Sequence, residues 1–340
     1  MLSPAPCEAH PAIRPEDRSG AGASNTDRGW CCLTLTWRKF CDYMGRMSAK
    51  TVCFISEKGG VGKTTAVYHV AIGLSRWHGK RVLVVDADYQ RGGLTGRFFP
   101  QLLANFKTVP PSSTTLFHVF QALYSGQASL PTPTVIAAHY GIHMIQSDPR
   151  LSDVSVDKLP RGSGIRQTNM ILFTHLSAIK NALAFCRDNY DYILIDTHPE
   201  TSELMRSVIY ASDYAVSPVK LDEQSSVGVP SAIEAVQGVI ADVHALQATI
   251  GAVPLYSPTI FAGAMAMMTR EYGGSLKYTE SEQYRRLSNI GIFEAYVTEG
   301  DGLRQAAAAH IPVYDVTGAN AEKQTGHLRE LVAEFQRRCP

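Results

Sequence analysis

A glycine- and lysine-rich segment at residues 51–65, TVCFISEKGGVGKTT, constrains the fold of this chain more than any other feature. β-prone residues 52–56 lead into it, and apolar residues with the spacing of a helix follow it. In a glycine loop between a strand and a helix, backbone N–H groups and the positive end of the helix dipole bind phosphate. The segment therefore predicts a nucleotide site, with the Lys63 ammonium at the β- and γ-phosphates and the Thr64 hydroxyl on Mg²⁺.

The loop departs from the usual phosphate-loop pattern G-x-x-x-x-G-K-[ST] at its first position. Glu57 occupies the place of the first glycine, and a second lysine, Lys58, follows it. The run KGGVGKTT resembles the deviant phosphate loop of the ParA/MinD family of ATPases, most closely that of the ParA-type, Soj-like members. This resemblance implies that Lys58 is catalytic together with Lys63, because it reaches the nucleotide of a partner subunit. It implies that the whole run binds nucleotide: Lys58, Gly59, Gly60, Val61, Gly62, Lys63, Thr64 and Thr65.

A pair of aspartates follows the next predicted strand, the β-branched run at residues 81–85. Continuous runs of this kind are typical of strands buried inside a parallel sheet. The segment VDADYQRGG resembles the family's VDxDPQGN motif, with Tyr89 in place of the proline. The resemblance implies that Asp88 orients the attacking water and that Asp86 holds the magnesium shell. The position at the carboxyl end of a parallel strand favours this role over the alternative, a carboxylate that caps a helix.

A second acidic motif ends the run YDYILID at residues 190–196. Apolar residues that end in an aspartate are typical of a Walker B strand, so Asp196 is predicted to hold a magnesium-bound water beside the phosphates. The following DTHP resembles the family's DxPP switch, with His198 in place of the first proline. We interpret His198 as an ordinary loop histidine, the alternative being a catalytic role.

The alternation of predicted strands and helices indicates a doubly wound α/β fold of the P-loop NTPase class, with a mostly parallel sheet and helices on both faces. Further strands are predicted at residues 142–145, 213–219 and 252–260, and helices at 114–124, 168–187, 225–246, 280–287 and 326–338. We expect a single ParA-type ATPase domain over residues 47–340. Residues 1–46 are rich in Pro, Gly, Ser and Arg without apolar periodicity, and are expected to be a disordered or non-native extension.

Composition excludes several classes of function. With 32 Lys+Arg against 31 Asp+Glu, the bulk charge does not indicate nucleic acid, so any such surface must be local. No uncharged apolar run is long enough for a transmembrane segment. Seven cysteines without a framework indicate reduced thiols and a cytoplasmic location. The absence of cysteine between Cys53 and Cys186 argues against the iron–sulfur reductases that share the loop.

The resemblance implies a slow, partner-stimulated ATPase that uses ATP and Mg²⁺ and forms an ATP-dependent homodimer. Its expected task is to partition or position DNA, as in plasmid or chromosome segregation, or another cargo in the bacterial cytoplasm or at the nucleoid. The activating partner would be a ParB-like or other protein. Non-specific DNA would bind to basic residues of the C-terminal third: Arg270, Lys277, Arg285, Arg286 and Arg304.

Two alternatives stay open. A MinD-like, membrane-associated ATPase would use an apolar stripe near the C-terminus, formed by Leu328, Leu331, Val332 and Phe335. The other alternative is a switch of the same fold that works through protein partners alone.

Overall fold

The described residues are organised around a seven-stranded sheet, all of whose pairings are parallel except that of one short edge strand. The structure is a computed structural model that describes residues 48–340 except 91–92 and 252–255. The expectation for residues 1–46 concerns residues outside this range.

The strands and helices alternate along most of the chain. The strands are β1 Lys50–Phe54, β2 Val82–Ala87, β3 Ile136–Ala137, β4 Ile142–Ile145, β5 Tyr192–Thr197, β6 Tyr214–Val219, β7 Ile260–Ala266, β8 Glu271–Tyr272 and β9 Ser275–Leu276. The first helices are α1 Lys63–His78, α2 Leu94–Phe98, α3 Leu116–Tyr124, α4 Ile165–Leu176, α5 Ala178–Leu183 and α6 Glu203–Ala211. The later helices are α7 Glu223–Ser226, α8 Gly228–Ile250, α9 Tyr278–Ser288, α10 Asp301–Ala309 and α11 Ala319–Arg338.

The order of the strands in the sheet is β3-β4-β2-β5-β1-β6-β7, with β8 and β9 in a separate small hairpin. Strand β5 lies between β1 and β2, so that Asp196 is the register partner of both Phe54 and Asp86. The carboxyl ends of these three parallel strands therefore open at the same edge of the sheet. This arrangement confirms the doubly wound α/β fold that the sequence predicts.

Side chains alternate between the two faces of each strand, as the pleat requires. In β2, Leu83 and Val85 pack on the face covered by α3, α4, α5, α6 and α8. Val82 and Val84 pack on the opposite face, which is covered by α1, α2, α10 and α11. Both faces of the sheet are therefore buried, which explains why its strands are apolar runs rather than alternating sequences.

Several element boundaries differ from the sequence predictions. The helix predicted at residues 168–187 is two helices, α4 and α5, separated at Ser177. The strand predicted at residues 252–260 is wrong for residues 256–259, since β7 begins at Ile260, while residues 252–255 lie outside the described part. Pro258 has no N–H for the ladder, and the Thr259 hydroxyl donates to the carbonyls of Ile209 and Ser212, so the chain joins the sheet only afterwards.

His69 connects the helix after the glycine loop with the C-terminal part of the chain. Its ring is fully buried, with Nδ1 2.8 Å from the carbonyl oxygen of Thr65. Nε2 accepts a hydrogen bond from the backbone N–H of Val313 at 3.1 Å. The ring is therefore neutral with its proton on Nδ1, and burial lowers the pKa of His69 to about 3.

We expect stability to fall as the pH is lowered from about 6.5 towards 4, because the unfolded state binds a proton at His69 that the folded state excludes. This group alone should cost about 2 kcal/mol by pH 5. A His69→Gln variant can keep both hydrogen bonds but does not titrate. Urea unfolding at pH 7 and pH 5 should show a larger loss in the wild type than in the variant. Equal losses of unfolding free energy in the two proteins would contradict the conclusion that the buried His69 ring stays neutral.

Candidate functional site

The loop between β1 and α1 has the backbone of an anion-binding loop. Gly60 and Gly62 have φ values of 72° and 93°, a left-handed conformation that glycine adopts without steric cost. A Cβ atom on Gly62 would lie only 3.2 Å from Cε of Met268 and 3.3 Å from Cβ of Met267. Glycine is therefore required there, and the loop leads directly into the N-terminus of α1, which attracts anions.

A cleft above this loop brings together most of the residues predicted from the sequence. The predicted residues that line it are Gly59, Gly60, Gly62, Lys63, Thr64, Thr65 and Asp88. The remaining lining residues are Gln90, Gly93 and Pro199, which come from the loops after β2 and β5. Of the other predicted residues, Val61 is buried below the loop, and Asp86 and Asp196 lie fully buried at the ends of their strands.

Thr64 and Asp196 form a pair at the base of the cleft. The Thr64 hydroxyl donates to Oδ2 of Asp196 at 2.7 Å. The other oxygen, Oδ1, is buried and has no hydrogen-bond partner among the described residues. Burial raises the pKa of Asp196 to about 7, although the Thr64 hydrogen bond and the Lys63 charge oppose the shift. A buried carboxylate oxygen without a donor, beside a hydroxyl, suits a hard divalent cation.

Lys63 begins α1 and is 6% exposed, an unusual degree of burial for a lysine. Burial lowers the pKa of its ammonium, and the charges of Asp196 and Asp88 partly oppose this shift. The cleft therefore contains a desolvated positive charge next to a glycine loop, an arrangement suited to phosphate oxygens.

Asp86 differs from Asp196 because both of its carboxylate oxygens accept hydrogen bonds. Oδ2 accepts hydrogen bonds from the backbone N–H of Thr95 at 2.6 Å and from the Thr95 hydroxyl at 2.7 Å. Oδ1 accepts from the backbone N–H of Asp88 at 3.1 Å. These bonds fix the loop between β2 and α2, so the geometry favours a structural role over the predicted place in the magnesium shell.

Asp88 lies at the edge of the cleft and is joined to His198. Its Oδ1 accepts from the backbone N–H of Gln90 at 2.9 Å, and Nδ1 of His198 lies 2.9 Å from the same oxygen. His198 is 8% exposed, so the interpretation as an ordinary loop histidine does not describe its position. The signal in the sequence was His198 itself, which replaces the first proline of the DxPP pattern. The contact between His198 and Asp88 has no local sequence pattern, because the two residues are 110 positions apart.

Lys58 lies at the rim of the loop, half-buried. The Ser56 hydroxyl accepts from the Lys58 backbone N–H at 3.2 Å and holds its main chain. Among the described residues no carboxylate forms an ion pair with the Lys58 side chain. Glu57, at the position of the usual first glycine, accepts a hydrogen bond from the Thr201 hydroxyl at 2.7 Å and so links the glycine loop to the loop after β5.

Three of the five basic residues predicted to bind DNA are paired with carboxylates. Nε of Arg270 lies 2.7 Å from the buried carboxylate of Glu280, and Arg286 lies 2.7 Å from Glu282 one turn earlier on α9. Arg304 is bound by two carboxylates, those of Glu299 at 2.9 Å and Asp301 at 3.1 Å. In the described part of the chain, only Lys277 and Arg285 of the five form no ion pair.

The apolar stripe near the C-terminus is buried. Its residues lie on α11 and pack against the sheet and α1, with no exposure to solvent: Leu328, Leu331, Val332 and Phe335. Within the described residues, no helix has both the length and the apolar composition needed to cross a bilayer. The feature that suggested membrane association therefore belongs to the core.

A family model described as an AAA domain, AAA_31, matches residues 49–247 of this chain. An uncharacterized protein of Pseudomonas putida is 28% identical over 193 residues, which cover 57% of this chain and 64% of that protein, just under two thirds of its length. The chromosome-partitioning ATPase Soj of Thermus thermophilus is 25% identical over 205 residues, 60% of this chain and 66% of Soj. The chromosome partitioning protein ParA of Caulobacter vibrioides is 23% identical over 288 residues, 84% and 94% of the two chains.

Solved structures show the same fold. A variant of Cyanothece McdA in complex with ATP superposes with a TM-score of 0.61 and 19% identity, covering 86% of this chain and 96% of that one. Cobyrinic acid a,c-diamide synthase from Mycobacterium smegmatis, with a bound ATP analog and magnesium, gives a TM-score of 0.56 and 17% identity, covering 85% and 94%.

The contrast between the two buried aspartates gives a test. Asp86→Ala should lower the free energy of unfolding by about 3 kcal/mol or more, because three buried donors lose their acceptor. Asp196→Asn keeps the acceptor for Thr64 and removes a costly charge, so its stability without nucleotide should stay within about 1 kcal/mol of the wild type. Urea unfolding measures both variants, and titration with a fluorescent ATP analogue and Mg²⁺ should show loss of binding in Asp196→Asn. The opposite result, a destabilised Asp196→Asn and a stable Asp86→Ala, would contradict the structural role of Asp86 and the cation-binding role of Asp196.

Proposed function

Because this chain belongs to the AAA_31 family and is an ATPase of the ParA/MinD type, we propose that it hydrolyses ATP and acts as a positioning switch that dimerises in its ATP-bound form. The observation that carries the proposal is the pair of Thr64 and Asp196 at the base of the glycine-loop cleft, with one buried carboxylate oxygen to which no described residue donates. Such an oxygen is costly in a protein that binds nothing there.

The residues present fit Mg²⁺. The Thr64 hydroxyl and the carboxylate of Asp196 would hold it, since oxygen ligands are those that Mg²⁺ prefers. When bound, the ion supplies positive charge next to the β- and γ-phosphate oxygens. Asp86 is less available to this set, because its two oxygens already accept three hydrogen bonds from Thr95 and Asp88.

The chain's own residues then account for binding and hydrolysis. The glycine loop and the N-terminus of α1 bind the phosphates, and Lys63 neutralises charge that develops on them. Asp88, at the edge of the same cleft, orients the attacking water. Gln90 and Pro199 line the cleft from the loops after β2 and β5.

We propose dimerisation because of the unpaired side chain of Lys58 in the described part of the chain. Its main chain is fixed by Ser56 while its side chain has no ion pair within the described residues, so the charge is free to serve a nucleotide in a partner subunit. A second copy of this chain would then complete the site, and a ParB-like or other activating protein would trigger turnover.

The cargo proposed is DNA, bound without sequence preference by the ATP-bound dimer at the nucleoid. Soj and ParA, both similar to this chain, are named for chromosome partitioning. Little unpaired positive charge supports DNA binding at the predicted residues, because Arg270, Arg286 and Arg304 are paired with carboxylates. We therefore assign the DNA contacts to Lys277 and Arg285. Action through protein partners alone is the alternative, favoured by the same paired charges.

The two loop lysines should fail in different ways. Lys63→Ala should weaken ATP binding in the monomer, because it removes a phosphate contact. Lys58→Ala should bind ATP normally but neither dimerise nor turn over. Asp88→Ala should bind ATP, accumulate as dimer and hydrolyse it about 10²–10⁴-fold more slowly. Size-exclusion chromatography with ATP and Mg²⁺, together with phosphate release, separates these outcomes. Normal dimers and turnover from Lys58→Ala would refute the role in the partner's site.

Binding to DNA should require ATP and weaken steeply with salt. Each phosphate contact contributes about 0.9 to the slope of log affinity against log salt, so a Lys277→Ala, Arg285→Ala double variant of the dimer should lose roughly 3 to 4 units of slope. Arg286→Ala is the matched control, because its charge is already paired on the same helix. Duplex DNA and anionic vesicles are compared with ATP and with ADP. Vesicle binding alone would indicate a membrane cargo, and binding to neither would indicate protein partners.

A further inference from the structure

Four side chains join the two loops that follow β2 and β5. Asp88 and Tyr89 come from the first loop, and His198 and Glu200 from the second. Nδ1 of His198 lies 2.9 Å from Oδ1 of Asp88, and Nε2 lies 3.5 Å from Oε2 of Glu200. The Tyr89 hydroxyl donates to the same Glu200 oxygen at 3.0 Å. The contacts therefore form a closed cluster beside the cleft.

We propose that His198 is a positioning residue for ATP hydrolysis: it holds Oδ1 of Asp88 so that Oδ2 is directed to the attacking water. The inference rests on the proposed function, because it needs Asp88 to orient that water. His198 itself touches neither the phosphates nor the water in this scheme. It acts on the reaction only through Asp88.

The hydrogen bonds at Asp88 support this division between its two oxygens. An ionised carboxylate only accepts, so Nδ1 of His198 is the donor in its contact with Asp88. The backbone N–H of Gln90 donates to the same oxygen at 2.9 Å. In the part of the chain that the structure describes, no group donates to Oδ2, and Asp88 lines the cleft. Two donors on one oxygen fix the rotation of the carboxylate and leave the other oxygen available.

The His198 ring is itself held on its face and at Nδ1. Tyr89 stacks on it with the ring centroids 4.0 Å apart and an angle of 27° between the planes. With Tyr89 on its face and Asp88 at Nδ1, the ring has little freedom to turn. A group that is fixed in this way can transmit its own position to Asp88, which is the requirement for a positioning residue.

The sequence supports the pairing independently. Tyr89 stands at the proline of the pattern VDxDPQGN, and His198 stands at the first proline of DxPP. The two substituted residues lie in contact with each other, although they are 109 positions apart. A proline side chain has no hydrogen-bond donor for a carboxylate. Where the patterns have two conformationally restricted prolines, this chain therefore has two side chains that contact each other.

The test compares three single variants by ATP titration and single-turnover phosphate release. His198→Ala removes the donor, whereas His198→Asn retains an amide nitrogen at the same number of bonds from the backbone as Nδ1. His175→Asn is the matched control, since His175 is also buried and bonded, to Tyr124 at 3.3 Å, but is not among the residues that line the cleft. His198→Ala should lower kcat about 10- to 100-fold with an unchanged affinity for ATP. His198→Asn and His175→Asn should stay within about threefold of the wild type.

A double variant separates positioning from a general loss of structure. If His198 acts through Asp88, adding His198→Ala to Asp88→Ala should not slow turnover further. A further slowing in the double variant would overturn the inference. An unchanged kcat in His198→Ala, or an equal loss in His198→Asn, would overturn it as well.

Turnover by the wild type distinguishes the role of His198 from the proposed ATPase function. Normal turnover in both the wild type and His198→Ala would overturn only the role of His198. No turnover in a wild type that binds ATP would overturn the proposed ATPase function, and the role of His198 with it.

Discussion

The parallel pairing of β5 with both β1 and β2 determines where every group of the site lies. Asp196 is in register with Phe54 on one side and with Asp86 on the other. Strands that run in the same direction end at the same edge, so the glycine loop after β1 and the acidic loops after β2 and β5 must meet. A slip of one residue in this ladder would turn Asp196 to the opposite face of the sheet. The apolar layers on both faces are therefore also what holds the site in register.

The three aspartates near this edge differ in how much of their charge the protein compensates. Asp86 accepts three hydrogen bonds from Thr95 and Asp88, Asp196 accepts one from Thr64, and Asp88 shares one oxygen between Gln90 and His198. Burial raises the pKa of both Asp86 and Asp196. A compensated carboxylate stabilises a loop, whereas an uncompensated one costs stability until a cation binds. The same residue type thus fixes a loop at one position and, among the described residues, leaves a buried oxygen without a donor at another.

The fold and the cleft above the glycine loop could be predicted because short segments of the sequence determine both. The loop 51–65 and the runs that end at Asp86 and Asp196 carry strand, turn and helix preferences within a few residues. The contact between His198 and Asp88 could not be predicted, because it depends on how two distant loops meet. The pairing of Arg286 with Glu282 follows helical spacing and could have been recognised, whereas that of Arg270 with Glu280 depends on the turn between them. The sequence prediction therefore missed that Arg270, Arg286 and Arg304 are paired with carboxylates.

The Asp196 oxygen that has no partner among the described residues has a consequence for the lifetime of the protein. A ligand that binds only the folded state adds stability in proportion to the logarithm of its concentration over Kd. Molecules with an empty site therefore open more often than loaded ones and offer more chain to proteases. If the cleft binds ATP and Mg²⁺ as proposed, the cellular concentrations of both would affect how long each copy of the chain lasts.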